Sequence, residues 1–165
     1  MSPIGRRAFL AAAGGATATL AGCLGSGGGG QSGMTVQGVA VRDSPGEPIA
    51  VLPADTVALL DFWATWCAPC KPQMAELRAV REQFPEVHML SITNESDRES
   101  VRAFWEEYEG TWPVATDTEL RTNERFGVNR IPTLLVFDRA GEQVWSHVGL
   151  AAADSIAEQL ETAGA

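Results

Sequence analysis

Two cysteines separated by two residues, Cys67 and Cys70, directly follow the apolar run Val57–Trp63. A nearly continuous apolar run of this length is typical of a strand that is buried on both faces of a sheet. Apolar residues then recur at helical spacing over Pro69–Phe84, which predicts a helix. The two thiols are therefore expected where a buried strand passes into a helix.

Such a junction favours redox chemistry at the two thiols. The free N–H groups and the dipole at a helix start favour negative charge, which lowers the pKa of a thiol near the first turn. Cys67 is therefore predicted to be the attacking thiolate. Cys70, one turn further in, would attack the mixed disulfide that Cys67 forms with a substrate.

Two other roles for this cysteine pair are a zinc site and a purely structural disulfide. Zinc needs four ligands, yet the only further cysteine is Cys23, and His88 and His147 lie apart from it and from each other. A disulfide that closes so short a loop removes little entropy from the unfolded chain, so its stabilising effect is small. Redox chemistry is the favoured interpretation, and we expect no metal and no cofactor besides the disulfide itself.

The first 33 residues are predicted to direct export rather than to join the fold. Arg6 and Arg7 form a twin-arginine pair, and the apolar stretch after them is shorter and richer in glycine than a membrane span of about 20 residues. The letters LAGC, ending at Cys23, resemble a lipobox. We predict a twin-arginine lipoprotein signal peptide over 1–22 and a Gly/Ser-rich tether over 23–33, with a lipid on Cys23. The alternative is a chance cysteine in a cleaved leader.

The rest of the chain, residues 34–165, suits one compact domain. The full sequence has 21 acidic and 12 basic residues, and Lys71 is its single lysine. Loss of Arg6 and Arg7 with the leader would take the net charge from −9 to −11. So acidic a surface disfavours nucleic acid and anionic lipid as direct partners. The excess of carboxylates with almost no lysine indicates adaptation to high salt, which screens charge repulsion.

This adaptation predicts that the purified domain loses its structure when it is desalted. Dilution of salt lengthens the range of repulsion between carboxylates, which destabilises the compact state. Circular dichroism during stepwise dialysis measures the effect. Full stability in dilute buffer would contradict the prediction.

Apolar periodicity predicts that strands and helices alternate along the domain. The expected strands are Val36–Val41, Leu59–Ala64, Val87–Ile92, a short extended Trp112–Ala115, Thr133–Phe137 and Gln143–Val148; the expected helices are Pro69–Phe84, a segment through Val101 and Tyr108, Glu119–Phe126 and Ala152–Thr162. Pro45, Gly46 and Pro48 predict a turn, and Asp138–Gly141 predicts a hairpin. The expected fold class is α/β, a mixed sheet with helices on both faces and a C-terminal hairpin.

Asp61 is unusual because it lies between Leu60 and Phe62 in the predicted buried strand. A buried carboxylate is costly unless it is paired or protonated, so burial is expected to raise the pKa of Asp61. An acid of this kind is suited to exchange a proton with the resolving thiol Cys70. The alternative is an aspartate at a strand end with ordinary access to water.

The segment Asp61–Lys71, with the letters DFWATWCAPCK, resembles the active-site segment of thioredoxins. Arg130–Thr133, with the letters RIPT, resembles the loop that carries the cis-proline of that fold. The extra segment Glu95–Thr118 resembles the insertion of the membrane-anchored TlpA/ResA-like branch. Together these resemblances cover nearly all of 34–165. They imply a three-layer thioredoxin-like fold and a thiol–disulfide oxidoreductase.

The resemblance also implies roles for single residues. Cys67 matches the attacking thiol, Cys70 the resolving thiol, and Asp61 the acid behind it. Pro132 matches the cis-proline, and the backbone of Ile131 would pair with an extended substrate; the alternative for Pro132 is an ordinary trans loop proline. The remaining predicted substrate-facing residues lie around the cysteines: Trp66, Ala68 and Pro69.

Three residues depart from the TlpA/ResA-like pattern. Gln73 stands where relatives that serve cytochrome c maturation often carry glutamate, Asp61 where many carry asparagine, and Ala75 where a helix proline is common. The acid–base residues thus resemble those of thioredoxins within a TlpA-like frame.

The predicted function is reduction of disulfides in exported proteins at the outer side of the membrane, with cytochrome c maturation as one such process. The predicted partners are protein thiols and disulfides and a membrane electron donor, and the protein is expected to be a monomer. One alternative is an oxidant that uses the same site in reverse. A thiol peroxidase and a copper-binding chaperone are less favoured because neither the surroundings of the cysteines nor the CxxC spacing matches them.

Overall fold

A computed structural model describes residues 33–165, and this part of the chain forms seven strands and four helices. The predicted signal peptide, Cys23 and all of the predicted tether except Gly33 lie outside the described residues. The elements in chain order are β1 Thr35–Gly38, β2 Pro48–Ala50, β3 Ala58–Trp63, α1 Cys70–Gln83, β4 His88–Thr93, α2 Arg98–Glu107, β5 Val114–Thr116, α3 Arg121–Phe126, β6 Thr133–Phe137, β7 Gln143–Val148 and α4 Ala153–Thr162.

The strands form one mixed sheet in the order β2-β1-β5-β4-β3-β6-β7. The central strand β3 runs parallel to β4 and antiparallel to β6, and all six of its residues are buried. This register places Asp61 beside Ser91 of β4 on one side and Leu134 of β6 on the other. The predicted mixed sheet is confirmed, and it presents the carboxyl end of β3 next to the start of α1.

Helices cover both faces of the sheet, as predicted, but unequally. Successive residues of a strand point to opposite faces. Leu59 and Trp63 belong to the apolar cluster that includes buried residues of α1, α2 and α4. Leu60 and Phe62 belong to the cluster on the other face, which is completed by the short helix α3 and the chain after β2. The layer formed by α1, α2 and α4 is the thicker one, and it covers the face of β3 that carries Asp61.

The N-terminal strands differ from the prediction. The expected strand Val36–Val41 ends at Gly38, where the chain passes so close to the carbonyl oxygen of Pro45 that any side chain would clash with it. Pro48 was expected in a turn with Pro45 and Gly46. It is instead the first residue of the edge strand β2, which pairs antiparallel with β1. Proline has no N–H to donate to a ladder, and it is tolerated on an edge strand or at the first residue of a strand because no partner strand needs that donor there.

The C-terminal hairpin is confirmed. Strands β6 and β7 pair antiparallel, and the Asp138 carboxylate accepts hydrogen bonds from the N–H groups of Ala140 and Glu142 in the turn. These bonds explain why an aspartate begins the turn. No helix among residues 33–165 is long and apolar enough to cross a membrane.

Candidate active site

Cys67 and Cys70 form a disulfide at the end of β3. Their sulfur atoms are 2.02 Å apart and their Cα atoms 5.3 Å apart. The N–H of Cys67 donates to the carbonyl of Ala64, and the N–H of Cys70 donates to the carbonyl of Cys67, each at 3.2 Å. Helix α1 begins at Cys70, one residue later than expected, so Cys67 lies in the turn before the helix. The reduced thiolate of Cys67 would still face the free N–H groups of the first turn.

The disulfide is surrounded by exposed residues, although both cysteines are only 3% exposed. Trp66 is 74% exposed, and Ala68 and Pro69 are exposed as well. Solvation of so large an aromatic side chain is unfavourable. An approaching partner meets these three residues first.

The peptide bond between Ile131 and Pro132 is cis, as predicted. The carbonyl of Pro132 accepts a hydrogen bond from the N–H of Gly149 at 2.8 Å, which ties this loop to the end of β7. Thr133 donates its hydroxyl to the carbonyl of Arg130 at 2.7 Å. The loop thus holds the backbone of Ile131 at the same end of the sheet as the disulfide.

An open groove of about 560 Å³ joins the two predicted parts of the site. Trp66 and Ile131 both line it, whereas Ala68, Pro69 and Pro132 do not. Leu120 also lines the groove and is 44% exposed, at a left-handed backbone angle φ of 60°. This conformation costs a leucine on the order of 1 kcal/mol. Sequence reasoning missed Leu120 because it was expected inside the helix 119–126, whereas α3 begins only at Arg121.

Asp61 is buried on the face of β3 that α1 covers, and 3% of it is exposed. Its Oδ2 accepts a hydrogen bond from the hydroxyl of Ser91 at 2.7 Å, whereas Oδ1 has no hydrogen-bond partner among the described residues. Burial raises the pKa of Asp61 from 3.8 to about 7, and the Ser91 hydroxyl partly opposes this rise. A carboxyl group with a pKa near neutrality can both accept and release a proton at physiological pH.

Glu95 is a site residue that the sequence did not indicate. It lies between β4 and α2, two residues before Asp97, whose Oδ1 caps α2 by accepting from the N–H groups of Glu99 and Ser100. Glu95 itself accepts from the N–H of Thr65 at 2.8 Å and from its hydroxyl at 2.6 Å. Because β3 and β4 are parallel and end at the same edge, an acid just after β4 meets the turn just after β3. Glu95 therefore ties down the turn that leads into Cys67.

Gln73 connects α1 to the loop before α4. Its side chain is 1% exposed, donates to the carbonyl of Ala151 at 3.1 Å and accepts from the N–H of Ala151 at 2.8 Å. Only a side chain with both a donor and an acceptor can make this pair of bonds. A glutamate at this position would lose the donor when ionised.

Replacing Gln73 with glutamate is expected to lower the free energy of unfolding at pH 7 by about 2–4 kcal/mol, because it buries a charge and leaves the Ala151 carbonyl without its donor. The loss should shrink near pH 4, where a protonated glutamate can donate again. Denaturant unfolding at both pH values measures it. Gln83→Glu, an exposed position at the end of the same helix, is the matched control. Equal stability of Gln73→Glu and the wild type at pH 7 would contradict the prediction.

The architecture and the disulfide at the start of α1 define a thioredoxin-fold protein. The chain belongs to the Redoxin family, whose sequence profile matches residues 31–160. It is 29% identical over 107 residues to the thioredoxin-like protein YneN of Bacillus subtilis and 28% identical over 104 residues to the thiol-disulfide oxidoreductase ResA of Bacillus cereus. These matches cover 62% of this chain, but only 62% and 58% of the two relatives.

A solved structure supports the fold independently. The exposed lipoprotein thioredoxin Etrx1 of Streptococcus pneumoniae superposes with a TM-score of 0.65 at 20% identity. The superposition covers 78% of this chain and 98% of that one. The thioredoxin-like fold expected from the cysteine motif and the proline loop is therefore confirmed.

Proposed function

We propose that this protein is a membrane-tethered thiol–disulfide oxidoreductase that reduces disulfides of exported proteins at the outer side of the membrane. The observation that carries the proposal is the Cys67–Cys70 disulfide, closed across the turn into α1, with Asp61 buried on the face of β3 that α1 covers. The names of the relatives YneN and ResA support this activity. The proposed chemistry uses the thiols of Cys67 and Cys70 and the carboxyl group of Asp61.

The reaction starts from the reduced dithiol. The Cys67 thiolate attacks one sulfur of the substrate disulfide, so a Cys67–substrate disulfide forms and the first substrate thiolate leaves and takes up a proton. The Cys70 thiol then gives its proton to the Asp61 carboxylate and attacks the sulfur of Cys67. The second substrate thiolate leaves as a thiol, and the two electrons have passed from Cys67 and Cys70 to the substrate. A dithiol of a membrane electron donor would return the pair to its reduced state.

The substrate is expected to bind through apolar contacts at this end of the sheet. Large exposed apolar side chains of the described residues are Trp66, Leu120, Val144, Val148 and Leu150. Four of them border the site. Trp66 and Leu120 line the groove. Val148 pairs with Thr133, the residue after the cis-proline, and Leu150 lies two residues after Val148. Such a patch on an otherwise acidic surface indicates a docking face.

We propose that this docking face binds an extended substrate segment that has apolar residues beside its cysteine. The segment would run along Ile131 and Pro132 and over Ala68 and Pro69.

Replacing Leu120 or Leu150 with serine is expected to lower kcat/KM for a reducible protein disulfide about five- to tenfold. Each variant loses about 1 kcal/mol or more of the free energy that apolar contact contributes to substrate binding. A small disulfide that leaves the groove empty should be reduced at the wild-type rate. The matched control is Val144→Ser, since Val144 is 43% exposed but lies toward the far end of β7. Equal losses on both substrates, or a loss in the control, would contradict the docking face.

The cellular part of the proposal concerns residues outside the described range. Replacement of Arg6 and Arg7 with lysines should retain the protein inside the cell, and Cys23→Ala should release it from the membrane fraction. A Cys70→Ser variant expressed in the same cells should then accumulate mixed disulfides with exported proteins, which mass spectrometry identifies. Apocytochrome c among them would add cytochrome c maturation to the substrate range. Adducts restricted to cytoplasmic proteins would contradict the proposal.

A further inference from the structure

A chain of buried hydrogen bonds leads to Asp61 from the adjacent strand. The Ser91 hydroxyl donates to Oδ2 of Asp61 at 2.7 Å, and the indole Nε1–H of Trp112 donates to the Ser91 oxygen at 2.9 Å. Ser91 is 0% exposed and Trp112 is 1% exposed. Trp112 lies between α2 and β5, where its carbonyl accepts from the indole N–H of Trp105 at 3.2 Å. The orientation of the Ser91 hydroxyl is therefore fixed from the side away from Asp61.

The direction of these bonds follows from the number of hydrogens. An indole N–H can only donate, so the oxygen of Ser91 must accept from Trp112. The hydroxyl has a single hydrogen, and burial requires that it find an acceptor, which is Oδ2 of Asp61. Oδ2 is thus an acceptor whether or not Asp61 is ionised. The acid proton of Asp61 must then reside on Oδ1, the oxygen without a partner among the described residues.

We propose that Ser91, held by Trp112, is a positioning residue that confines the exchangeable proton of Asp61 to Oδ1 and sets the pH at which Asp61 accepts it. This inference rests on the proton-transfer part of the proposed function. The Ser91 hydroxyl stabilises the carboxylate and so opposes the effect of burial on the pKa of Asp61. The cross-strand neighbours of Asp61 are Ser91 and Leu134, neither of which carries a charge, and α1 contributes Cys70 at its start. Burial and this one hydrogen bond are the causes of the shift.

The segment that follows α2 carries Trp112 and so takes part in this chain of hydrogen bonds. Trp112 belongs to the region 95–118, which otherwise covers the sheet through the apolar residues of α2. The hydrogen bond from Trp112 to Ser91 also connects this region to Asp61 in the central strand β3. A change in the indole is therefore expected to alter proton transfer although Trp112 does not contact Asp61 through a hydrogen bond of its own.

The test is the pKa of Asp61, followed by carboxyl-carbon NMR of the purified oxidised protein with labelled aspartate. Ser91→Ala removes the donor to the carboxylate and is expected to raise the pKa of Asp61 by about one unit. Trp112→Phe removes the indole donor that holds the Ser91 hydroxyl toward Oδ2 and weakens that bond, so a smaller rise is expected. Thr93→Val is the matched control, because Thr93 is a buried hydroxyl two residues along β4 that donates to Glu95 instead. Its effect on the pKa of Asp61 should be below about 0.2 units if only the Ser91 bond matters.

The rate of the resolving step as a function of pH gives a second readout. In Ser91→Ala the midpoint of this profile should move with the pKa of Asp61, whereas a merely structural effect would lower the rate without moving the midpoint. An unchanged pKa in Ser91→Ala, or an equal rise in Thr93→Val, would overturn the inference. If Ser91→Ala does not fold, the rise in Trp112→Phe decides. A shifted pKa with a pH-independent resolving rate would instead count against proton transfer by Asp61, so the two failures are distinguishable.

Discussion

Replacing Cys67 with serine is expected to abolish disulfide reduction, whereas replacing Cys70 with serine should permit the first attack and stop the reaction at the mixed disulfide. Cys67→Ser removes the only nucleophile that the mechanism uses against the substrate. Cys70→Ser still permits attack by Cys67, but no thiol remains to displace the substrate, so a stable mixed disulfide accumulates. Reduction of a protein disulfide, with non-reducing electrophoresis and mass spectrometry of the adduct, measures both outcomes.

Cys23→Ser is the control for this pair, because Cys23 is predicted to carry a lipid and has no part in the proposed reaction. It should reduce a soluble protein disulfide at the wild-type rate in vitro. Adduct formation at Cys23, or residual turnover in Cys67→Ser, would contradict the assignment of Cys67 as the attacking thiol.

The second large effect is expected for Asp61→Asn, which removes the group that takes the proton from Cys70. General base catalysis of this kind contributes about 100-fold or more to a rate, so the resolving step should slow by that order at pH 7–8. The first attack by Cys67 should be little affected. Rapid mixing of the reduced protein with a protein disulfide separates the two steps. Equal slowing of both steps would contradict the role of Asp61 in resolution.

The same substitution is expected to stabilise the fold at alkaline pH. The pKa of Asp61 is raised from 3.8 to about 7 on folding, so the wild type loses stability as pH rises between these values and carries the full cost above pH 7. At 1.36 kcal/mol per pKa unit, this cost is at most about 4 kcal/mol. Asp61→Asn should remove it at pH 8 and change little near pH 4.

Asp97→Asn provides a control with the opposite pH dependence. The pKa of the exposed Asp97 lies below its usual value, because the hydroxyl and N–H of Ser100 bond to the carboxylate. The Asp97 carboxylate therefore stabilises the fold above the pKa that Asp97 has in the unfolded chain, and this stabilisation is lost as pH falls below that pKa. Urea unfolding from about pH 2, below the usual pKa of an aspartate, to pH 8 compares the two variants. A stability gain of Asp61→Asn that does not depend on pH would contradict the raised pKa.

The sequence was most informative where local pattern and tertiary environment agree. The apolar run of β3 predicts a buried strand, helical spacing predicts α1, and the turn residues at Asp138 predict the hairpin β6–β7; the structure confirms all three. The strand β2 was missed because its three residues include Pro48, a turn former whose edge position cannot be inferred from local sequence. Its pairing with β1 depends on contacts between distant residues.

The hydrogen bonds that Glu95 and Ser91 make near the cysteines and Asp61 could not be predicted either, because they too join residues that are distant in the sequence. Glu95 contacts Thr65, and Ser91 contacts Asp61, each across 30 residues of sequence. Both contacts arise from the parallel register of β3 and β4, which apolar periodicity does not specify. Gln73 was recognised as a departure from related sequences, but its two bonds to Ala151 became evident only when α1 and the loop before α4 were seen together.

The most direct test of the proposed reductase is the reduction potential of the Cys67–Cys70 pair, measured by equilibration with defined thiol buffers at high salt. A reductase of this kind is expected to have a potential near that of thioredoxin, about −270 mV, at which the dithiol gives electrons to the disulfides of exported proteins. A value near about −120 mV would contradict it and assign the same site to disulfide formation. The two values differ by about five powers of ten in the exchange equilibrium, so the outcome is decisive.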